Sequence, residues 1–203
     1  MIKNIVFDFG DIFINLDKEA TFVELEKQGV LEITEEMTEV AKQYEVGAIT
    51  TEDFTQFFHK EFKIPKTDLV NAWNAILLDF PLYRLSFLKE LAASKKYRLF
   101  LLSNTNDLHI SWIQVHWGSE LYTEFKNCFE QFYLSHEINL RKPNADIYEF
   151  VLEKNQLIAE ETFFIDDTEE NTRAAEKLGI KTWNLIPGEE DIVDLLTRKE
   201  FKA

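Results

Sequence analysis

Apolar and polar positions follow two different rhythms along this chain. Residues 2–7, Ile-Lys-Asn-Ile-Val-Phe, form a short apolar run that ends at Asp8, with Gly10 two positions further on. A run of that length bounded by polar turn chemistry predicts a buried strand. Residues 18–78 keep the helical rhythm and contain no convincing strand. Phe22 and Leu25 mark one apolar face, and Val40 and Tyr44 mark another that Gly47 closes. Thr50 ahead of Glu52 and Asp53 reads as a capped helix start with acids in its first turn. Phe54, Phe57 and Phe58 follow at helical spacing, and after Pro65 a further stripe runs through Leu69, Trp73, Ile76 and Leu77. That spacing makes the aromatics the core of a small all-helical insertion rather than a platform for a ligand.

From Pro81 the rhythm changes to alternating strands and helices. Leu82, Leu85, Leu88 and Leu91 line a helix, and Tyr97–Leu102 is a dense apolar strand that runs into Ser103-Asn104-Thr105-Asn106. That polar cluster suits a helix start, with the helix continuing over Leu108–Trp117. Residues 129–134, 162–165 and 180–186 supply three more strands. Between them lie a helix after Arg141-Lys142-Pro143, carrying Ile147, Val151 and Leu152, and one through Ala174, Ala175 and Leu178 that Gly179 stops. A short helix near residues 189–197 closes the pattern. Strands alternating with helices predict an α/β fold, a Rossmann-like parallel sheet in a three-layer αβα arrangement with right-handed crossovers. The expected division is a core of residues 1–15 and 81–203 and a small all-helical cap of residues 16–80.

Composition narrows the function classes. The 203 residues carry a formal net charge of −15, which repels nucleic acid and anionic membranes. An anionic substrate therefore needs local positive charge or a bound cation. The single cysteine, Cys128, cannot form an intramolecular disulfide, which fits a reducing cytoplasm, and its apolar neighbours predict a buried structural thiol. The N-terminal run is interrupted early by Asp8 and reads neither as a signal peptide nor as a membrane span.

Ligands of parallel sheets bind beyond the carboxyl ends of the strands. At that edge the sequence places Asp8, Ser103 and the pair Asp166-Asp167, with Lys142 in a loop able to reach them. Asp8, Asp166 and Asp167 offer hard oxygen ligands that suit Mg²⁺, and the backbone carbonyl of Gly10 can add another. Lys142 supplies fixed positive charge, Ser103 a hydroxyl, and the following helix start favours an anion. These are the parts that an aspartate nucleophile needs to accept a phosphoryl group. Each also has an ordinary structural reading: a turn residue for Asp8, a helix cap for Ser103 and Asn104, a surface charge for Lys142. Two adjacent acids at a strand end are harder to explain without a cation, because they repel one another.

The motifs Ile5-Val6-Phe7-Asp8-Phe9-Gly10-Asp11, Leu102-Ser103-Asn104-Thr105-Asn106, Arg141-Lys142-Pro143 and Phe164-Ile165-Asp166-Asp167 with Asn171 resemble those of the haloacid dehalogenase superfamily. The resemblance is to its branch with a helical cap after the first strand, covers nearly the whole chain, and is similar to bacterial phosphatases of the alpha-D-glucose-1-phosphate type. It implies that Asp8 is the nucleophile, that Ser103 with Asn104 beside it binds phosphate, and that Lys142 stabilises both. It further implies Asp167 as the main acidic Mg²⁺ ligand, Asp166 acting directly or through water, and Asn171 supporting the metal shell. The expected activity is hydrolysis of a small phosphorylated metabolite, favouring a sugar phosphate such as glucose 1-phosphate. One departure stands out: most phosphatases of the superfamily carry a second Asp as general acid where this chain has Gly10. The alternatives are a 2-haloacid dehalogenase, which attacks carbon without a metal, and a catalytically weak binding or regulatory member. His109, Trp112, His116 and Trp117 follow the phosphate loop and either approach a pocket or cover the sheet.

Overall fold

The computed structural model describes residues 1–202. Five strands, β1 (Asn4–Phe7), β2 (Arg98–Ser103), β3 (Gln131–Leu134), β4 (Thr162–Asp166) and β5 (Lys181–Asn184), form one sheet in the order β3-β2-β1-β4-β5. All neighbouring pairs are parallel. The helices are α1 (Ala20–Lys27), α2 (Glu35–Glu45), α3 (Thr51–Phe62), α4 (Lys66–Asn74), α5 (Leu82–Ser94), α6 (Asp107–Trp117), α7 (Ser119–Lys126), α8 (Ser135–Ile138), α9 (Ala145–Asn155), α10 (Glu169–Glu176) and α11 (Lys199–Lys202).

The strands read as unbroken apolar runs because both faces of the sheet are covered. Side chains alternate between faces with a period of two. Ile5, Phe7, Leu99, Leu101, Phe163 and Ile165 enter one buried cluster, while Val6, Phe100, Leu102 and Phe164 enter the other. Central β1 pairs with β2 on one side and β4 on the other, so the direction of winding reverses beside it. The ladder runs one residue past β1, with the Asp8 N–H donating to the Ile165 carbonyl at 2.8 Å. Asp8 is thereby fixed in register beside Asp166, at the crevice where open α/β sheets take their ligands.

Helices α1–α4 bury a separate cluster that includes Leu25, Met37, Tyr44, Phe54, Phe58 and Leu69. The Thr50 hydroxyl accepts from the Asp53 N–H at 3.1 Å while the Asp53 carboxylate accepts from the Thr50 N–H at 3.2 Å, a reciprocal cap at the start of α3. Phe54 and Phe58 are fully buried there, Phe57 packs on Phe58, and Trp73 meets the Phe54 ring. The chain passes to and from these helices through two segments lying side by side. Leu16 bridges Leu77 in antiparallel fashion, and Asn15 and Asp17 exchange backbone bonds with Asp79, Leu78 and Ile76.

Several expectations shift. Leu82 is 60% exposed, because it opens α5 before the helix reaches the sheet; Leu85, Leu88 and Leu91 are the buried face. The closing segment is a 3-10 turn over Ile192–Thr197 followed by α11 rather than one helix. Cys128 is half-buried, not buried, since it lies just past the end of α7 with its Sγ 3.4 Å from the Glu124 carbonyl. Burial still pushes its thiol pKa up, away from a nucleophilic thiolate.

Candidate active site

Asp8, Ser103, Lys142 and Asp167 border one cleft of about 580 Å³ at the carboxyl edge of the sheet, with Asp166 buried beneath it. Lys142 is the pivot. Its side chain is 1% exposed, and its Nζ donates to Asp8 Oδ1 and to Asp166 Oδ2, both at 2.6 Å. Burial alone pulls its pKa down, but the Asp166 and Asp8 carboxylates outweigh that and hold it above the usual lysine value. A fully buried lysine therefore stays charged.

The loop carrying Lys142 is positioned by Asn104. The Asn104 Nδ2 donates to the Lys142 carbonyl and its Oδ1 accepts from the Lys142 N–H, each at 2.9 Å. The side chain expected beside a phosphate is thus committed to holding the lysine. Ser103 differs: its hydroxyl has only a 3.4 Å contact with the neighbouring Asn104 carbonyl and remains available at the cleft.

Asp166 is saturated. Besides Lys142, it accepts from the Thr168 N–H at 2.8 Å and from Asn171 Nδ2 at 3.0 and 3.1 Å. Asn171 therefore steadies Asp166, and its own carbonyl is held by the Tyr148 hydroxyl at 2.9 Å. Asp167 is oriented differently, pairing with Lys18, which also reaches Asp11 Oδ2 at 3.1 Å. Burial pushes the Asp167 pKa up against the pull of Lys18.

These groups suit a divalent cation. Oxygens of Asp8, Asp166 and Asp167 lie within 4.8 Å of one another. Four carboxylates, with Asp11 included, face two ammonium groups, so negative charge is in excess. The consequence falls on Asp8. Burial, reinforced by Asp166 and Asp167 and opposed by Lys142, pushes its pKa up to about 7. A hard cation among the oxygens would relieve that repulsion.

Gly10 is occupied territory as far as a side chain is concerned. A Cβ there would stand 2.6 Å from Leu16 Cδ1. The tip of Leu16 lies where a side chain at position 10 would begin. Asp11 does not replace the second Asp of the resemblance: held at φ 55°, it accepts from the Leu16 N–H at 3.0 Å and faces Lys18. The clash falls on the tip of a half-buried side chain that can shift aside, so Gly10→Ala is expected to cost less than about 1 kcal/mol. Shortening Leu16 to Ala should remove much of that penalty, which urea unfolding of the two single variants and the double variant would show as coupling.

A second chamber of about 260 Å³ opens past Gly10, Leu16, Ser103 and Asn104 and runs under the helices of the insertion. Trp73 and His109 form part of its wall, their rings stacked at 5.9 Å. Asn106 caps α6 by accepting from the His109 N–H at 3.1 Å, which turns its Nδ2 toward His109 Nδ1 at 3.2 Å. His109 Nε2 then donates to the Trp73 carbonyl at 3.1 Å. Burial drives the His109 pKa down to about 4, so the ring is neutral at pH 7. Unfolded histidine titrates near 6.5, so between those values the unfolded chain binds the extra proton. Stability is fully present above pH 6.5 and is lost as pH falls toward 4, by about 2 kcal/mol at pH 5. Denaturant midpoints at pH 7 and pH 5 should show this slope flattened in His109→Gln.

Residues 5–185 match the family described as haloacid dehalogenase-like hydrolase. The chain belongs to the haloacid dehalogenase-like hydrolases. A solved HAD family enzyme from Bacteroides thetaiotaomicron, in complex with magnesium and inorganic phosphate, is 35% identical over 94% of this chain and 97% of its own, with a TM-score of 0.81. A HAD-like family hydrolase from Porphyromonas gingivalis is 29% identical over 94% of both chains, also with a TM-score of 0.81. A D-ribitol-5-phosphate phosphatase from Bacteroides thetaiotaomicron is 27% identical over 90% of this chain and 91% of its own.

Within this hydrolase, the sequence pattern located the residues at the strand ends but missed those that arrive from the inserted segment, Lys18 ahead of α1 and Glu45 at the end of α2. Lys18 and Glu45 border the two chambers, yet each reads in sequence as one charge among many on a solvated face. Of the four residues after the phosphate loop, His109 reaches the inner chamber. Trp117 packs on Phe9 and Phe80, while Trp112 and His116 stack on each other at 3.8 Å.

Proposed function

We propose that this hydrolase is a Mg²⁺-dependent phosphatase that cleaves a small phosphorylated polyol or sugar through an aspartyl-phosphate on Asp8. The observation that carries this reading is the pair of 2.6 Å bonds from buried Lys142 to Asp8 and Asp166, with Asp167 alongside. Lys142 occupies Asp8 Oδ1 and leaves Oδ2 as the attacking oxygen. That oxygen bonds to phosphorus while the ester P–O bond breaks, and the leaving oxygen takes a proton from solvent water. Water then attacks the phosphorus, restoring the Asp8 carboxylate and releasing inorganic phosphate. The Ser103 hydroxyl donates to a phosphoryl oxygen, and Lys142 offsets the charge gathered around the transferring group. Asp8, the Gly10 carbonyl and Asp167 would hold Mg²⁺, with Asp166 behind them holding Lys142. Bound there, the cation supplies charge neutralisation at the phosphate.

We assign residues 1–15 and 81–203 to the catalytic core and 16–80 to a cap over it. The paired acids favour attack on phosphorus over attack on carbon, which needs no cation. Among substrates, the relative that is a D-ribitol-5-phosphate phosphatase moves an alditol phosphate ahead of glucose 1-phosphate. The test is phosphate release from a panel of alditol, sugar, nucleotide and aryl phosphates. Release is expected with Mg²⁺ and is expected to fall at least about 100-fold with excess EDTA. No release from any member, with Mg²⁺ present, would leave the binding-module reading in its place.

A further inference from the structure

Resting on the phosphatase reading, we propose that Glu45 of α2 selects the leaving group, accepting hydrogen bonds from its hydroxyls in the inner chamber. Several polar groups of that chamber are already committed. Asn104 is tied to the backbone of Lys142 through both ends of its amide. Asn106 and His109 are bonded to each other, and His109 also to the Trp73 carbonyl. Ser103 lies at the mouth, where the phosphoryl group sits. Much of the remaining wall is apolar: Phe9, Ile14, Leu16, Ala41, Ile76, Leu77 and Ile113.

Glu45 stands apart. It is the one carboxylate among the lining residues, which include no lysine or arginine. Among the described residues its Oε1 has a single long bond, 3.3 Å from Arg141 Nε, and no donor reaches its Oε2. Its position is nonetheless fixed. Ser135 Oγ donates to the Glu45 carbonyl at 2.6 Å and Asn139 Nδ2 to the Val46 carbonyl at 2.8 Å, pinning the end of α2 to the core. A half-buried carboxylate on a pinned backbone, with a free oxygen, is a preorganised acceptor for hydroxyl donors, and the buried Trp73 Nε1, which has no partner among the described residues, is an uncommitted donor in the same wall. Trp73, Leu16 and Ile76 offer apolar surface to the C–H faces of the same carbon chain. The ligand class is therefore a neutral polyhydroxy leaving group. Arg141, which pairs with Glu45, and Lys42 and Lys142 line the outer cleft rather than this chamber, so a second anionic group at that depth would meet Glu45 with no lysine or arginine among the described residues of the chamber wall.

The experiment compares kcat/KM for D-ribitol 5-phosphate and for p-nitrophenyl phosphate, whose leaving group lacks aliphatic hydroxyls, in the unsubstituted protein, Glu45→Ala and Glu45→Gln. The ratio of the first constant to the second is expected to fall by about ten-fold or more in Glu45→Ala, chiefly through KM. Glu45→Gln, which keeps an acceptor oxygen, is expected to recover part of it. A merely structural role for the Glu45–Arg141 contact would lower both constants together, and a ratio that moves by less than ten-fold overturns the proposal. The phosphatase reading is scored separately, by whether the unsubstituted protein releases phosphate from p-nitrophenyl phosphate and Asp8→Asn does not.

Discussion

Lys142→Met is expected to lower the unfolding free energy by about 3–5 kcal/mol at pH 8 without Mg²⁺, because it strips two buried carboxylates of their shared cation. Asp166 has nowhere to turn: it is fully buried and its other partners are the Thr168 N–H and the Asn171 amide. Asp8 already has a pKa raised to about 7, by burial first and by its acidic neighbours next. Without the lysine that pKa rises further, so at pH 6 protonation of Asp8 relieves part of the loss. The variant should therefore be more severely destabilised at pH 8 than at pH 6, the opposite slope from that of His109. Added Mg²⁺ should restore stability, since a ligand that binds only the folded form shifts the balance by mass action. Urea unfolding at both pH values, with and without Mg²⁺, measures all three effects. A loss below about 1 kcal/mol at pH 8 would mean that Lys142 does not neutralise the cluster.

Asp8→Asn is expected to reduce phosphate release by on the order of 10³-fold or more, since an amide cannot replace the attacking carboxylate. The fold should survive. The substitution removes one of the repelling charges around Asp166 and Asp167 and leaves the Lys142–Asp166 bond in place. Substrate affinity should change far less than turnover, because Ser103 and Lys142 remain to hold the phosphoryl group. Steady-state kinetics with Mg²⁺, alongside a thermal unfolding scan, separates the two. A variant with more than a tenth of the original turnover would remove Asp8 from the nucleophile role.

What was legible in the sequence was whatever depends on neighbours along the chain. Asp8, Ser103 and Asp166 each end a run of apolar residues, so the strand pattern alone sends them to one edge of the sheet. The cap of α3 at Thr50 was equally local. What could not be read depends on segments that meet only in three dimensions. Asn104 follows Ser103 in the phosphate motif, and nothing local in the sequence says that its side-chain amide pairs with the backbone of Lys142, 38 residues away. Glu45 sits in an acidic, amphipathic helix, where a carboxylate ordinarily faces water; its place in the chamber follows from how α2 docks on Ser135 and Asn139. Gly10 signals a missing acid, yet only the packing shows that the tip of Leu16 lies against that position. Leu82 was misplaced for a simpler reason: spacing identifies a face but not where along the helix the sheet begins.

The nucleophile can be trapped by quenching the protein in acid during turnover of D-ribitol 5-phosphate with Mg²⁺ and mapping its peptides by mass spectrometry. A phosphoryl adduct is expected on the peptide carrying Asp8, labile to hydroxylamine and absent in Asp8→Asn. Turnover that proceeds with the adduct on another residue would contradict Asp8 as the nucleophile.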